Sequence, residues 1–401
     1  MSGPLTGVRI LDVTQVISGP LTTMLLADQG AEVIKVENPK GGDFTRRTAN
    51  RRHGFSAAFV NNNRNKRSIA LDLSDERGRE VLLELAKTAD VFTQNFRPGV
   101  VQRIGIGEDD IRAVNPSIIY ASISGFGETG PYSGKRVYDP IIQALSGLTT
   151  IQAGSDEERP RLIRTILPDK LTAVTAAQAI CAALFARERH GTGQHLRLSM
   201  FDSVVAFLWP SDMGSQTFVG DELPQQAAAS FIDLIYETKD GYMSVAAPGD
   251  AEWRGLCEAV QRPEWIEDER FKTPAMRDRN INERLQLTQQ ALLARTTEQW
   301  LAKFDEHSVP CAPVLTRNQM IEHPQAIENK TIEIFDHPYA GPLRQARPAA
   351  RFSETPAGIY RGAPRLGEDT DEVLREIGFD NLAITALKEA GVALGLEAEP
   401  A

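Results

Sequence analysis

The chain has 401 residues, 41% of them hydrophobic and 24% charged, which is an ordinary globular composition with room for two or three domains. The net charge of −10 argues against nucleic acid as the main partner, because neutralising phosphates needs concentrated Lys and Arg. No apolar run reaches the roughly 20 residues that span a bilayer, and polar Ser2-Gly3-Pro4 after Met1 predicts no secretory signal, so a cytoplasmic protein without a membrane partner is expected.

In chain order, Val8 to Val13 reads as a continuous apolar strand, residues 19–29 as a helix stopped by Gly30, and Glu32 to Glu37 as the next strand. Ser68 to Leu73 is predicted as a strand, Ser74 as the cap of a helix through Lys87, and Ala89 to Gln94 as a strand before the turn at Arg97-Pro98-Gly99. A helix over 108–114 and a strand from Ser117 to Ser122 follow. Strands alternating with helices predict a parallel sheet covered on both faces. Residues 138–148 are expected to be helical and 151–160 a polar loop. After Pro168-Asp169 comes a long helix, in which Leu171, Val174, Ala177, Cys181, Leu184 and Phe185 recur at helical spacing and predict one apolar face. Gly191 ends it, His195 to Met200 alternates like a strand, and Phe201 to Val219 is a further helix.

Gly220 to Ser230 reads as a linker, and the pattern changes beyond it. Phe231 to Tyr236 and Tyr242 to Ala247 flank Lys239-Asp240-Gly241 as a β-hairpin. Helices are expected near 251–260, 281–294 and 297–306, and Val309 to Thr316 as a strand that Pro310 and Pro313 confine to an edge. Strand-like pieces recur to Phe352, and short helices near 369–377 and 380–391 end the chain.

The usual chemical signatures are missing: no GxSxG, no GxxxxGK[ST], no HExxH and no His spacing suited to a metal. Cys181, Cys257 and Cys311 are odd in number and far apart, so they make neither a disulfide framework nor a metal site. Gly125, Gly127 and Gly130 fit GxGxxG, but Pro131 follows where a dinucleotide loop would open a helix. The loop does follow a parallel strand, where open sheets bind ligands. Arg46-Arg47, Arg51-Arg52 and Asn61 to Arg67 form a basic region that is either a solvated loop or a phosphate-binding face, which Arg97, Arg103, Lys135 and Arg136 would extend. Asp169 falls at a helix N-terminus. It is either an N-cap or a carboxylate nucleophile held ionised by backbone N–H groups and the helix dipole.

Eight segments spread along the chain resemble, in order, the class III coenzyme A transferases, the formyl-CoA transferase and carnitine CoA-transferase family. They are GVRILDVTQVISGP, EVIKVENPKGGDFTR, NRNKRSIALDL, ADVFTQNFRPG, SGFGETGPYSGKRVYD, LPDK, FARERHGTGQHLRLSMFDS and VPCAPV. The resemblance implies a large open parallel-sheet, Rossmann-like α/β domain split in sequence (1–219 and 329–401), a linker at 220–230, a smaller α+β domain at 231–328, and an interlocked homodimer. It makes Asp169 the nucleophile. CoA contacts are expected at Val16, Ile17 and Ser18; at Leu71, Asp72 and Leu73; at Asn95, Phe96, Arg97 and Arg103; and at Arg136, Val137, Tyr138 and Asp139. Asn38 stands where formyl-CoA transferase has an arginine, and Ile17 where it has a glutamine. Oxyanion donors are expected at Gly125 to Gly127 or near Ser18. The tetraglycine flap of formyl-CoA transferase has no counterpart run; Ala247 to Asp250 is the nearest segment. No metal or permanently bound cofactor is implied; acyl-CoA and a small carboxylate are the expected partners.

Arg46, if it reaches the pocket, favours an acceptor with a second carboxylate, so a succinyl-CoA donor and a small dicarboxylate acceptor are expected. Two alternatives stand beside this. An α-methylacyl-CoA racemase needs an acid/base pair, with a His-Asp after the glycine loop where this chain has Tyr138-Asp139. A non-catalytic CoA-binding protein would keep the cations and have no need of Asp169.

Overall fold

The computed structural model describes residues 3–48, 50–220 and 234–396. The chain divides into two compact units, one of 1–229 with 330–401 and one of 230–329. Most of the linker expected at 220–230 lies outside the described residues, as do Phe231 to Asp233 of the expected hairpin.

The first unit is built on a seven-stranded sheet. Strands β1 (Arg9–Asp12), β2 (Glu32–Glu37), β3 (Lys66–Leu71), β4 (Val91–Gln94), β5 (Ile119–Ser124) and β6 (His195–Ser199) run parallel in the order β3-β2-β1-β4-β5-β6. A seventh strand, β7 (Ala393–Leu394), joins antiparallel to β3. The helices that position the site are α1 (Ser18–Asp28), α2 (Ala57–Asn63), α3 (Glu76–Ala86), α4 (Asp139–Leu145), α5 (Leu167–His190), α6 (Met200–Asp212), α7 (Thr370–Glu376) and α8 (Asn381–Glu389).

Successive strand residues point to opposite faces, and both faces are apolar here, which is why the strands read as unbroken hydrophobic runs. Ile10, Val33, Val91 and Ile119 pack with α1 and α5, through Leu26, Ala27, Ala177 and Ile180. Leu11, Ile34, Phe92 and Tyr120 pack with α3, α7 and α8, through Leu82, Leu85, Leu374 and Leu387. The C-terminal segment therefore closes a core that the N-terminal segment opens. The strand order reverses on either side of β1, so the connections from β1 and β4 leave in opposite directions and open a crevice at the strands' carboxyl ends.

Two departures from the sequence reading bear on the site. β3 begins at Lys66, two residues before the expected start, because Lys66 is fully buried against an acidic partner and counts as an interior residue. The buried face of α5 is Thr172, Ala173, Ala176, Ala177, Ile180, Ala183 and Leu184, whereas Val174 and Phe185 are 57% and 61% exposed. Alanines let α5 approach α1 closely enough for Thr22 Oγ1 to reach Ala173 O at 3.4 Å, and that contact selects the small-residue stripe over the bulkier one. By length and composition α5 could cross a bilayer, but its alanine stripe lies in the core of this unit.

The second unit has a three-stranded antiparallel sheet, with Tyr242–Val245 between Ile235–Glu237 and Cys311–Pro313. The proline-bearing strand is an edge, as expected. Helices Asp250–Ala259, Ile281–Leu292 and Thr297–Glu306 cover the sheet through Trp253, Leu292, Trp300 and Phe304. Arg277, 1% exposed, donates to Pro248 O at 3.3 Å and to Asp250 Oδ1 at 2.6 Å, which pins the Ala247 to Asp250 segment.

Candidate active site

The crevice at the strand-order reversal is a cavity of about 360 Å³. The β1–α1 turn contributes Gln15, Val16 and Ser18. The segment after β4 contributes Asn95, Phe96, Arg97 and Pro98, and the segment after β5 contributes Gly125 and Phe126. Ser133, Lys135, Val137, Tyr138, Asp139, Asp169 and Met200 complete the wall.

Asp169 enters from the first turn of α5. It is not the N-cap: that position is Ile166, which makes no side-chain cap. The Asp169 N–H donates to Asp139 Oδ2 at 3.3 Å, and Ser18 lines the same wall, its N–H and hydroxyl favouring the charged form of the Asp169 carboxylate. Burial pushes the Asp169 carboxyl up, the nearby Asp139 charge pushes it further, and the Ser18 N–H and hydroxyl only partly oppose them, leaving it at about 6. At neutral pH the carboxyl is still mostly ionised, but burial and the second acid on the same wall bring its titration much closer to neutrality than that of an ordinary Asp. Asp139 is itself buried at the start of α4, accepts Gln143 Nε2 at 2.7 Å, and is raised chiefly by burial.

The glycine loop is shaped by one close approach. A Cβ on Gly125 would lie 2.4 Å from Val137 Cγ1, so only glycine lets the loop close on the Val137 segment. Its N–H groups are not all available as oxyanion donors: Gly127 N–H is held by Ser124 Oγ at 3.0 Å. Near Ser18, Val16 N–H faces Asp43 and Ser18 N–H faces Asp169.

Of the expected binding residues, the structure brings Val16, Ser18, Asn95, Phe96, Arg97, Gly125, Val137, Tyr138 and Asp139 to the cavity with Asp169. Ile17, Asn38, Leu71, Asp72, Leu73, Arg103, Gly127 and Arg136 do not line it. Asn38 and Leu71 to Leu73 follow or end β2 and β3, further along the same carboxyl edge.

The basic region divides: Arg47, Arg51 and Arg52 are exposed, whereas Arg46, Arg64, Lys66 and Arg67 are held by partners within the fold. Arg46 is spent on Glu37, at 2.8 and 2.6 Å, on Pro364 O and on the Phe59 ring. Arg64 grips Asp28 at 3.0 and 2.8 Å, Lys66 reaches Asp12 at 2.9 Å, and Arg67 pairs with Glu32 and Glu376. The cations lining the cavity are instead Arg97 and Lys135, the latter lying over the Tyr132 ring.

Sequence reading also missed His195. Its Nε2 lies 2.7 Å from Ser122 Oγ, and its Nδ1 pairs with Glu108 Oε2. That order of groups is the one a serine nucleophile uses. Ser122, however, is 2% exposed within β5, and its Oγ already accepts the Gln94 amide. The chain Ser122–His195–Glu108 ties β5, β6 and the 108–114 helix together.

The family model for CoA-transferase family III matches residues 5–370. The chain belongs to this family. A succinyl-CoA:glutarate CoA-transferase of Homo sapiens is 34% identical over 97% of this chain and 90% of its own length. A formyl-CoA:oxalate CoA-transferase of Streptomyces coelicolor is 33% identical over 97% of this chain and 98% of its own. A solved CAIB/BAIF family protein from Brucella suis superposes with a TM-score of 0.83 at 29% identity, covering 94% of this chain and all of that one. A family III CoA-transferase acts on CoA thioesters and carboxylates, and the crevice offers two carboxylates, two cations and a glycine-flanked wall to such substrates. None of the cavity-lining residues is a histidine, so the acid/base pair of a racemase would have to be Asp139 and Asp169 themselves.

Proposed function

We propose that this protein moves CoA from succinyl-CoA to a small dicarboxylate, with Asp169 as the nucleophile. The reading is carried by one observation: Asp169 lines the crevice at the strand-order reversal, beside Ser18 and Asp139. The Asp169 carboxylate attacks the thioester carbon and expels CoA thiolate, which leaves a succinyl-aspartyl anhydride. The thiolate attacks the aspartyl carbonyl of that anhydride, releases succinate and leaves an aspartyl-CoA thioester. The acceptor carboxylate attacks this thioester, expelling the thiolate and forming a second anhydride. The thiolate then attacks the acceptor's acyl carbon and frees Asp169. Each nucleophile and each leaving group is an anion, so no step needs a proton shuttle. This suits a cavity wall without histidine.

Arg97 and Lys135 supply positive charge for the phosphates of CoA or for a second carboxylate of the acceptor. The human relative's name pairs succinyl-CoA with glutarate, which supports the dicarboxylate reading. The test is the intact mass of the protein after mixing with succinyl-CoA, for wild type and for Asp169→Ala. The expected result is a CoA-sized adduct that hydroxylamine clears and the variant lacks. Turnover with glutarate but not oxalate is expected next; activity only with monocarboxylates would overturn the dicarboxylate assignment. Absence of an adduct with any donor, together with tight CoA binding, would overturn the nucleophile.

A further inference from the structure

Beneath the β1–α1 turn lies a group of charged side chains that the reaction itself does not use. Lys35 of β2 and Asp43 are essentially unexposed and lie 3.2 Å apart. Each holds one end of the turn. Lys35 Nζ donates to Thr14 O at 2.8 Å, and Asp43 accepts the Val16 N–H at 3.2 Å. Asp12 accepts Thr14 N–H at 2.9 Å, and the Asn95 amide pairs with Gln15 through both its groups, at 2.9 and 2.8 Å. The turn so clamped is strained: Val16 has φ +74°, a region that a β-branched residue avoids. Two residues on, Ser18 lines the cavity with Asp169, and its N–H and hydroxyl favour the ionised carboxylate.

We propose that the buried Lys35–Asp43 pair is a positioning device for the nucleophile, holding Val16 left-handed so that Ser18 is presented to Asp169. The assignment rests on Asp169 being the nucleophile. Strain persists only where the surroundings over-determine it, and here the pair supplies the fixed partners on both sides of Val16. The charged groups around the pair are Asp12 from β1, Lys66 from β3, and Glu37 with Arg46. The charged group facing Asp169 is Asp139, which Lys170 in turn lies near. The Ser18 N–H and hydroxyl are the groups that lower the Asp169 pKa, so losing them raises the pH at which the carboxylate becomes nucleophilic.

The experiment is single-turnover formation of the CoA adduct on full-length protein, followed by intact mass from pH 5 to 9. Asp43→Asn removes the charge that holds Lys35 and loosens the Val16 clamp. Its adduct rate at pH 7 is expected to fall about tenfold, with the acidic limb rising by about half a pH unit. Val16→Gly alone is the measurement that does not depend on Asp43→Asn folding. It should melt no lower than wild type, yet form adduct more slowly and with a raised limb. An unchanged limb in both variants, or a rate loss uniform across pH, would overturn the positioning role. A wild type that forms no adduct would instead overturn the nucleophile on which it rests.

Discussion

At the scale of the residue, the behaviour of Asp169 follows from its neighbours. A carboxyl raised from 3.8 to about 6 is nucleophilic only above that value, so turnover should fall as pH drops through about 6. Asp139→Asn removes the charge that raises it, and the acidic limb of kcat/KM should move to lower pH. An unmoved limb would assign the shift to burial alone. The same rise has a stability sign. Between about pH 4 and 6 the folded chain binds the proton that the unfolded chain has lost, so folding weakens across that window and stays weaker above it. Asp169→Asn should therefore stabilise the protein at pH 8 by about 1–2 kcal/mol and by nothing at pH 4, read from urea unfolding at the two pH values. The position of Asp169 was legible in LPDK before a long helix. Its pKa was not, because Asp139 lies 30 residues away and meets it only in the fold. The basic residues misled for the same reason: Lys66 and Arg64 find their acids 54 and 36 residues away, so their sequence neighbours say nothing of their burial.

At the scale of the element, the parallel strands were readable because burial on both faces leaves near-continuous apolar runs, and all six lie within two residues of their expected bounds. β7 was not readable, since two residues carry no period. The buried side of α5 was not readable either, because the helix is apolar almost all round and only its partner decides which stripe faces inward. That partner is α1, so the fit of the alanine stripe should control both stability and the placing of Asp169. Ala176 is fully buried there. Ala176→Leu inserts three carbons into a closed contact and is expected to cost about 1–3 kcal/mol in urea unfolding, with adduct formation slowed in the surviving folded protein. A substitution within about 0.5 kcal/mol of wild type would mean that α5 can back away from α1 without cost.

At the scale of the whole molecule, α5 and α6 share an unusual property. The same helices that supply the core also turn large apolar side chains outward: Val174 and Phe185 on α5, Phe207 and Trp209 on α6, each close to half exposed or more. Scattered exposed apolar residues are normal, but four on two neighbouring helices of an acidic protein is a costly surface to leave in water. A homodimer, which the resemblance implies, would give these side chains an occupant, and a mainly apolar contact is what a permanent dimer uses. The chain mass is 44.1 kDa, so light scattering of wild type should report twice that value. Phe185→Glu combined with Phe207→Glu places two unpaired charges on this surface and should shift the mass toward that of one chain, in a concentration-dependent way. Burying a charge without a partner costs several kcal/mol, whereas both side chains are free to point into water in a monomer. A wild type that scatters as a single chain, or a double variant that stays dimeric at micromolar concentration, would remove this surface from the interface and leave its exposure to be explained by another contact.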